Sequence, residues 1–283
     1  MSSKGKQDLS GVWEFAFLPE KTPLKDNLAR LRFDLLVAVP GCFDLTPEYY
    51  LRRGTGIYRR QVEAGGEMEL ISEGLGLRGE FYWDGKQIAT VDAPFSPRVI
   101  RFDAGKPGEH ELLVAVNNEF DDTPSSLFRR DYDFYAHGGI YRKITLAPAA
   151  AVHADEIKII PLEPEKGTVR IAVKFSGAVS GLTQAEIRFD GQGESAILPL
   201  KDGTGEQVFQ VPSPHLWSPD DPFLHTAEIQ AGGESSSIEF GLRKVECRNG
   251  KLYLNGAPLK LIGCNRHDAH PDIQRHRVSG CGI

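Results

Sequence analysis

The sequence predicts an all-β fold built as β-sandwiches, and three observations carry that prediction. Apolar and polar residues alternate in short runs: Val169, Ile171, Val173 and Phe175 interleave with Arg170, Ala172 and Lys174, and Ile238, Phe240 and Leu242 interleave with Glu239, Gly241 and Arg243. A period of two places one set of side chains on each face of a half-buried strand. Asp-Gly sits between strand-like flanks in "WDGK" (83–86) and "FDGQ" (189–192), and a two-residue type I′ hairpin turn needs positive φ at both central residues. Turn signals recur at short intervals, supplied by 30 Gly and 18 Pro, as between sandwich strands rather than in a βαβ sheet.

Along the chain, the first segment needing a decision is Leu24 to Val39. Leu24, Leu28, Leu31 and Leu35 have helical spacing, whereas Leu31, Phe33, Leu35, Val37 and Val39 alternate like a strand; periodicity leaves both readings open. In "LAPAAAVHADEI" (146–157) a strand-like run ends in small residues and Pro before alternation resumes, which marks a domain boundary. A second boundary falls near Leu242–Asn249. The expected organisation is a sandwich over 1–149, a smaller sandwich over 150–243 and a short piece over 244–283. In that last piece two Asn-Gly turns flank "KLYL" and lead into "LKLIGC", an apolar run suited to a strand buried on both faces. Such a strand needs neighbours, and "DIQRHRVSGCGI" after Pro271 has neither strand nor helical period. We expect an unfinished strand whose apolar edge favours self-association, followed by a disordered or loosely docked tail.

Composition bounds the function. The 283 residues carry 33 Lys and Arg against 39 Asp and Glu, a net charge of -6 spread without acidic or basic blocks, so a nucleic-acid partner is not expected. No apolar stretch approaches the roughly 20 residues that span a bilayer, so no membrane role is expected either. The start "MSSKGKQDLSG" has no apolar core of a signal peptide, and the expected location is cytoplasmic. Cys42, Cys247, Cys264 and Cys281 are scattered without a C-x-x-C pair, which fits reduced thiols, with packing roles for all but Cys281.

The order of motifs resembles the family 2 glycoside hydrolases, the group of β-galactosidases, β-glucuronidases and β-mannosidases. "LSGVWEF" (9–15) is similar to the family's opening strand, "VPGCFD" (39–44) to its V-P-x-x-x-D turn and "GIYRRQV" (56–62) to its next strand. "FYWDGKQIA" (81–89), "GEHELLVAVNN" (108–118) and "DFYAHGGIYRKITL" (133–146) follow its sugar-binding domain, and "LWSPDDPFLH" (216–225) a turn of its immunoglobulin-like domain. "FGLRKVECRNGKLYLNGAPLKLIGCNRHDAHP" resembles the start of its catalytic (β/α)₈ barrel, in a form nearer to the β-galactosidases. The resemblance covers residues 9–271. It implies a jelly-roll, galactose-binding-like sandwich, then an immunoglobulin-like sandwich, then the beginning of a barrel, and it resolves the Leu24–Val39 stretch as extended.

The function implied is hydrolysis of terminal β-glycosides, β-galactosides first. A barrel takes roughly 250 residues, and a retaining glycosidase needs two carboxyl groups about 5–5.5 Å apart. In the family both come from later barrel strands, so no catalytic residue is expected here, the chain alone is expected to be inactive, and a frameshift, an early stop or a chosen end would each give such a tail. The alternatives are a free-standing carbohydrate-binding module and a docking protein for a separate barrel chain. The resemblance places Asp133 where an Asp reaches the sugar pocket; a carboxylate there accepts two hydrogen bonds from adjacent hydroxyls, while its residue type alone reads as a turn Asp. It places His267 and His270 at the top of the first barrel strand, where imidazoles donate to sugar hydroxyls. Asn265, Arg266 and Asp268 join them as substrate-side residues or as braces of the strand end. Tyr135 and His137 read as core, and Trp13, Trp83 and Trp217 as packing rather than stacking platforms. Cys264, His267 and His270 fall short of four spaced ligands, so neither a metal nor a cofactor is expected.

Overall fold

The computed structural model describes residues 5–120 and 136–265, and within them the protein is all-β. The chain divides into two compact units on either side of Ala149 and Ala150.

The first unit is a sandwich of antiparallel strands β1 (Gln7–Asp8), β2 (Gly11–Pro19), β3 (Leu35–Val39), β4 (Gly41–Cys42), β5 (Gly54–Ala64), β6 (Glu67–Ser72), β7 (Arg78–Trp83), β8 (Lys86–Val91), β9 (Arg98–Asp103), β10 (Gly108–Asn117), β11 (Gly139–Ile140) and β12 (Ile144–Pro148). A six-stranded sheet in the order β3-β2-β5-β10-β7-β8 faces a four-stranded sheet β1-β12-β6-β9, and β4 and β11 pair separately. Alternation chooses the core: Trp13, Phe15, Tyr58, Phe81, Leu112 and Val114 from one sheet meet Leu70, Ile100, Ile144 and Leu146 from the other. Each of these large side chains, moved from water into a dry interior, contributes on the order of 1.5–3 kcal/mol.

Strand β10 departs from simple alternation, because Leu112 through Val116 are all buried. The cause is a second layer: Leu113 and Ala115, with Ile57, Tyr82 and Ala16, are covered on the outer face by Leu24, Leu28, Leu31 and Phe33. The open question at Leu24–Val39 thus has a composite answer. A single 3-10 turn at Leu28–Arg30 turns leucines onto the sheet, and extended pairing begins only at Leu35, opposite Phe15.

The second unit is an immunoglobulin-like sandwich. Strands β13 (Val152–Glu163), β14 (Thr168–Gly177), β15 (Gln184–Phe189), β16 (Gln192–Pro199), β17 (Thr204–Gln210), β18 (His225–Ala231) and β19 (Glu234–Phe240) form the sheets β13-β14-β17 and β16-β15-β18-β19. The fourth of these strands pairs with the third, so three strands face four. The alternating residues Val169, Ile171, Val173 and Phe175 fill the interior with Ala185, Ile187, Ala227 and Ile229.

Local turn chemistry sets the hairpins. Asp84-Gly85, Asp190-Gly191, Asp202-Gly203, Asn249-Gly250 and Asn255-Gly256 all have positive φ at both residues, the condition of a type I′ turn. The last two join β20 (Val245–Arg248), β21 (Lys251–Leu254) and β22 (Ala257–Leu259) into a small antiparallel sheet. The apolar run beginning there behaves differently from its expectation. Strand β22 stops at Leu259, and Leu261 and Ile262 are 71% and 87% exposed. A strand buried on both faces requires a partner on each edge, and the described residues supply none for 260–265.

Candidate functional site

Two of the sequence motifs, remote in the chain, are joined in the first sandwich. Strand β4, inside the turn Val39–Asp44, pairs with β11, with Gly139 opposite Cys42 and Ile140 opposite Gly41. The Phe43 N–H donates to the Gly138 carbonyl at 2.9 Å. Two successive glycines are needed at 138 and 139. A side chain on Gly138 would run into the Phe43 ring and Asn118, and one on Gly139, at φ +154°, would meet the Gly41 backbone. Absence of a Cβ is what permits this close backbone approach.

Asp44 lies at the centre of the junction and is 0% exposed. Its Oδ2 accepts from the Gly138 N–H at 3.0 Å and from Asn118 Nδ2 at 3.1 Å, while Oδ1 lies 3.3 Å from His137 Nδ1. A carboxylate withdrawn from water is tolerated when donors replace its hydration. Asn118, equally buried, uses Oδ1 to accept from the Gly54 N–H at 2.9 Å and Nδ2 to reach the Arg52 carbonyl at 3.1 Å as well. Next to it, Arg53 Nη1 donates both to the Asn118 carbonyl at 2.9 Å and to the Ala136 carbonyl at 2.8 Å. Its guanidinium also stands 4.4 Å from the centre of the Phe120 ring. Residues 118–120 and 136–138, the two flanks of the stretch that contains Asp133, are therefore tied to one buried polar network. Ala136 has φ 55°, a costly conformation for a residue with a Cβ, which surrounding contacts must hold in place.

The junction is bordered by phenols kept neutral. Burial, with smaller contributions from Cys42 and Asp44, pushes Tyr58 and Tyr141 well above the usual phenol range. Tyr141 stacks on Phe95, ring centres 5.6 Å apart.

Of the sequence-predicted residues, Asp133, Arg266, His267, Asp268 and His270 lie outside the described residues, as do Tyr135, Cys281 and the tail expectation after Pro271. Asn265 is exposed, at the end of the unpaired run. His137 is buried against Asp44. Trp13 and Trp83 are buried, their indole N–H groups donating to the Leu9 and Ala104 carbonyls. Trp217 is half-buried beneath Arg243, 4.6 Å from its ring centre. The cysteines differ from their expected packing role: Cys247 and Cys264 are exposed, and Cys42 is intermediate. Among the described residues no group of three or more His, Cys, Asp or Glu is disposed to hold a metal ion, and no helix is long and apolar enough to cross a membrane. Sequence reasoning missed Asp44, Asn118 and Arg53 as a unit. The available signal was that polar residues close an apolar strand in "VAVNN" and an apolar turn in "VPGCFD".

Comparison with known proteins extends this geometry. The family profile of glycosyl hydrolases family 2 matches residues 152–243. A β-galactosidase of Staphylococcus xylosus is 31% identical over 169 residues, 59% of this chain and 16% of that protein. A β-galactosidase of Thermoanaerobacter pseudethanolicus is 26% identical over 95% of this chain and 40% of its own length. In fold, the chain is similar to a family 2 β-galacturonidase of Eisenbergiella tayi bound to galacturonate, with a TM-score of 0.78 at 24% identity, covering 95% of this chain and 48% of that one. The chain thus spans less than half the length of each.

Proposed function

We propose, because this chain belongs to family 2 of the glycosyl hydrolases, that its 283 residues form the non-catalytic N-terminal portion of a retaining enzyme that cleaves terminal β-glycosides, with β-galactosides as the substrate. In this reading the first sandwich offers Asp133 to the sugar, and Asn265, Arg266, His267, Asp268 and His270 belong to the rim of the first barrel strand. The observation that carries the reading is the Asp44 junction. It holds the backbone on both sides of the Asp133 stretch through a buried carboxylate, an amide and a guanidinium, an expense of polar burial that suits a backbone required in one position. The similarity to two β-galactosidases supports the choice of sugar.

The paired carboxyl groups of a retaining mechanism are assigned to a barrel and not to these residues. The purified chain should therefore leave a chromogenic β-galactoside intact, and hydrolysis at an enzymatic rate, free of host enzyme, overturns the reading. Joined to the part of the Thermoanaerobacter relative that lies beyond the matched 40%, the chain should support β-galactoside hydrolysis. In that chimera Asp133→Ala should lower kcat/KM by about 10–100-fold, the loss of hydrogen bonds between a charged group and the sugar. Unchanged kinetics would remove Asp133 from the substrate.

A further inference from the structure

The second sandwich contains a cleft that the reading above does not use. It has a volume of about 540 Å³ and opens where the β15–β16 turn meets the loop leading into β18. That volume falls in the range of small-molecule sites.

An aromatic ring is fixed at its edge. Phe223, 40% exposed, lies flat on His215, ring centres 4.4 Å apart at 15°. His215 is in turn held by Asp221, Nε2 to Oδ2 at 2.6 Å. On its other flank Phe223 meets His225 edge-on at 4.9 Å. His225 is locked at both nitrogens: Nδ1 faces Asp190 Oδ2 at 2.7 Å, and Nε2 accepts from the His215 N–H at 3.0 Å. A half-exposed phenyl ring held against a buried histidine that is bonded at both nitrogens is restricted before any ligand arrives, which lowers the entropy cost of binding. Ser213, also on the cleft wall, has φ 50°, the kind of backbone strain that gathers at ligand sites.

The remaining wall selects the ligand class. Gln192, Ser213 and Thr226 offer hydrogen-bonding groups, and the carboxylates present are Asp190 and Glu228; no lysine or arginine lines the cleft. Both oxygens of Asp190 are engaged, one by His225 and one by the Thr226 N–H at 2.7 Å. Glu228 stands opposite Arg188 in the ladder. Asp190 is thus committed to the protein rather than open to a cation, while an anionic sugar would enter against the Glu228 carboxylate with no lysine or arginine on the wall. A neutral pyranose fits both conditions, laying its C–H face on the electron-rich ring and its hydroxyls on the polar rim. We propose that this cleft, lined by residues of the second sandwich alone, is a binding site for a neutral pyranoside.

The test is an NMR titration of the full chain with methyl β-galactopyranoside, glucuronate and tetramethylammonium. The expected result is saturable shifts at Phe223 and Thr226 with the galactoside, Kd on the order of 1–10 mM, and glucuronate weaker by about tenfold. Phe223→Ala should weaken the galactoside by at least about tenfold, and Asp133→Ala should leave these shifts unchanged, which separates this site from the proposed catalytic one. Glu228→Gln, a second variant that keeps the ring, should narrow the gap between galactoside and glucuronate. Absence of saturable shifts at the cleft, insensitivity to Phe223→Ala, an unchanged gap in Glu228→Gln, or tighter binding of tetramethylammonium than of the sugar would each overturn the proposal.

Discussion

Replacing Asp44 by Ala should destabilise the first sandwich more than any exposed substitution in it. The wild-type carboxylate accepts from the Gly138 N–H at 3.0 Å and Asn118 Nδ2 at 3.1 Å, with His137 Nδ1 at 3.3 Å. Asn118 Nδ2 retains the Arg52 carbonyl, so the amide is only partly deprived, but the Gly138 N–H loses the acceptor that Asp44 supplies. An orphaned buried donor costs about 1–3 kcal/mol, and the space left by the carboxyl group adds to it, so the total is about 2–4 kcal/mol. With a urea slope of about 2 kcal/mol per molar, the midpoint of this unit should fall by about 1–2 M. Urea unfolding followed by pulsed hydrogen exchange reads the two units separately, through peptides from β5 and β10 on one side and β14 and β18 on the other. Asp44→Asn keeps an acceptor for one donor and should lose about half as much. A shift below about 0.5 M in Asp44→Ala, or an equal loss of protection in β14 and β18, would refute the assignment of this network to the stability of the first sandwich.

Three further outcomes are open to measurement. The Asp84–His110 pair, 2.7 Å apart beneath Trp83, raises the His110 pKa above 6.5, mainly through the hydrogen bond to Asp84; the same bond and the Glu111 N–H lower Asp84 below 3.8 against a desolvation that raises it. The histidine's contribution is complete below 6.5 and disappears as pH rises through its raised folded value; the aspartate's is complete above 3.8 and disappears as pH falls through its lowered folded value. Stability lost in His110→Ala should therefore be greatest between these two values, under about 1 kcal/mol because Asp84 is half exposed, and an NMR titration of His110 checks the direction. Gly138→Ala should cost about 1–3 kcal/mol by urea unfolding, since a Cβ would lie 2.9 Å from Asn118 Cβ and closer still to the Phe43 ring. Gly191→Ala, at φ +64° with nothing within 4 Å, should cost only about 1 kcal/mol, from backbone strain without a clash.

Much of the fold was legible because its causes are local. Asp84-Gly85 and Asp190-Gly191 announce hairpins, since few other residue pairs accept positive φ twice. The alternation at Val169–Phe175 announces which face is buried, since the side-chain period of a strand is two. Leu24–Val39 was ambiguous for a reason outside its own sequence. Its leucines cover the outer face of β10 and its neighbours, and a covering segment has no period of its own to obey. The same limit applied to Leu259–Asn265, whose apolar residues signal burial but not the partner that would provide it.

By itself, the sequence determined the hairpin turns, the facing of the alternating strands and, through its ordered motifs, the resemblance to family 2 of the glycoside hydrolases. Only the tertiary structure decided that Asp44 meets Gly138 and His137, about ninety residues later in the chain, and that Arg53 bridges Asn118 and Ala136. It alone set Phe223 flat against His215 at the mouth of a cleft. Hydrogen bonds and ring contacts act over a few ångströms of space, whereas residue pattern reports only on neighbours along the chain. The residues that such contacts join carry no mark of one another until the strands between them have paired.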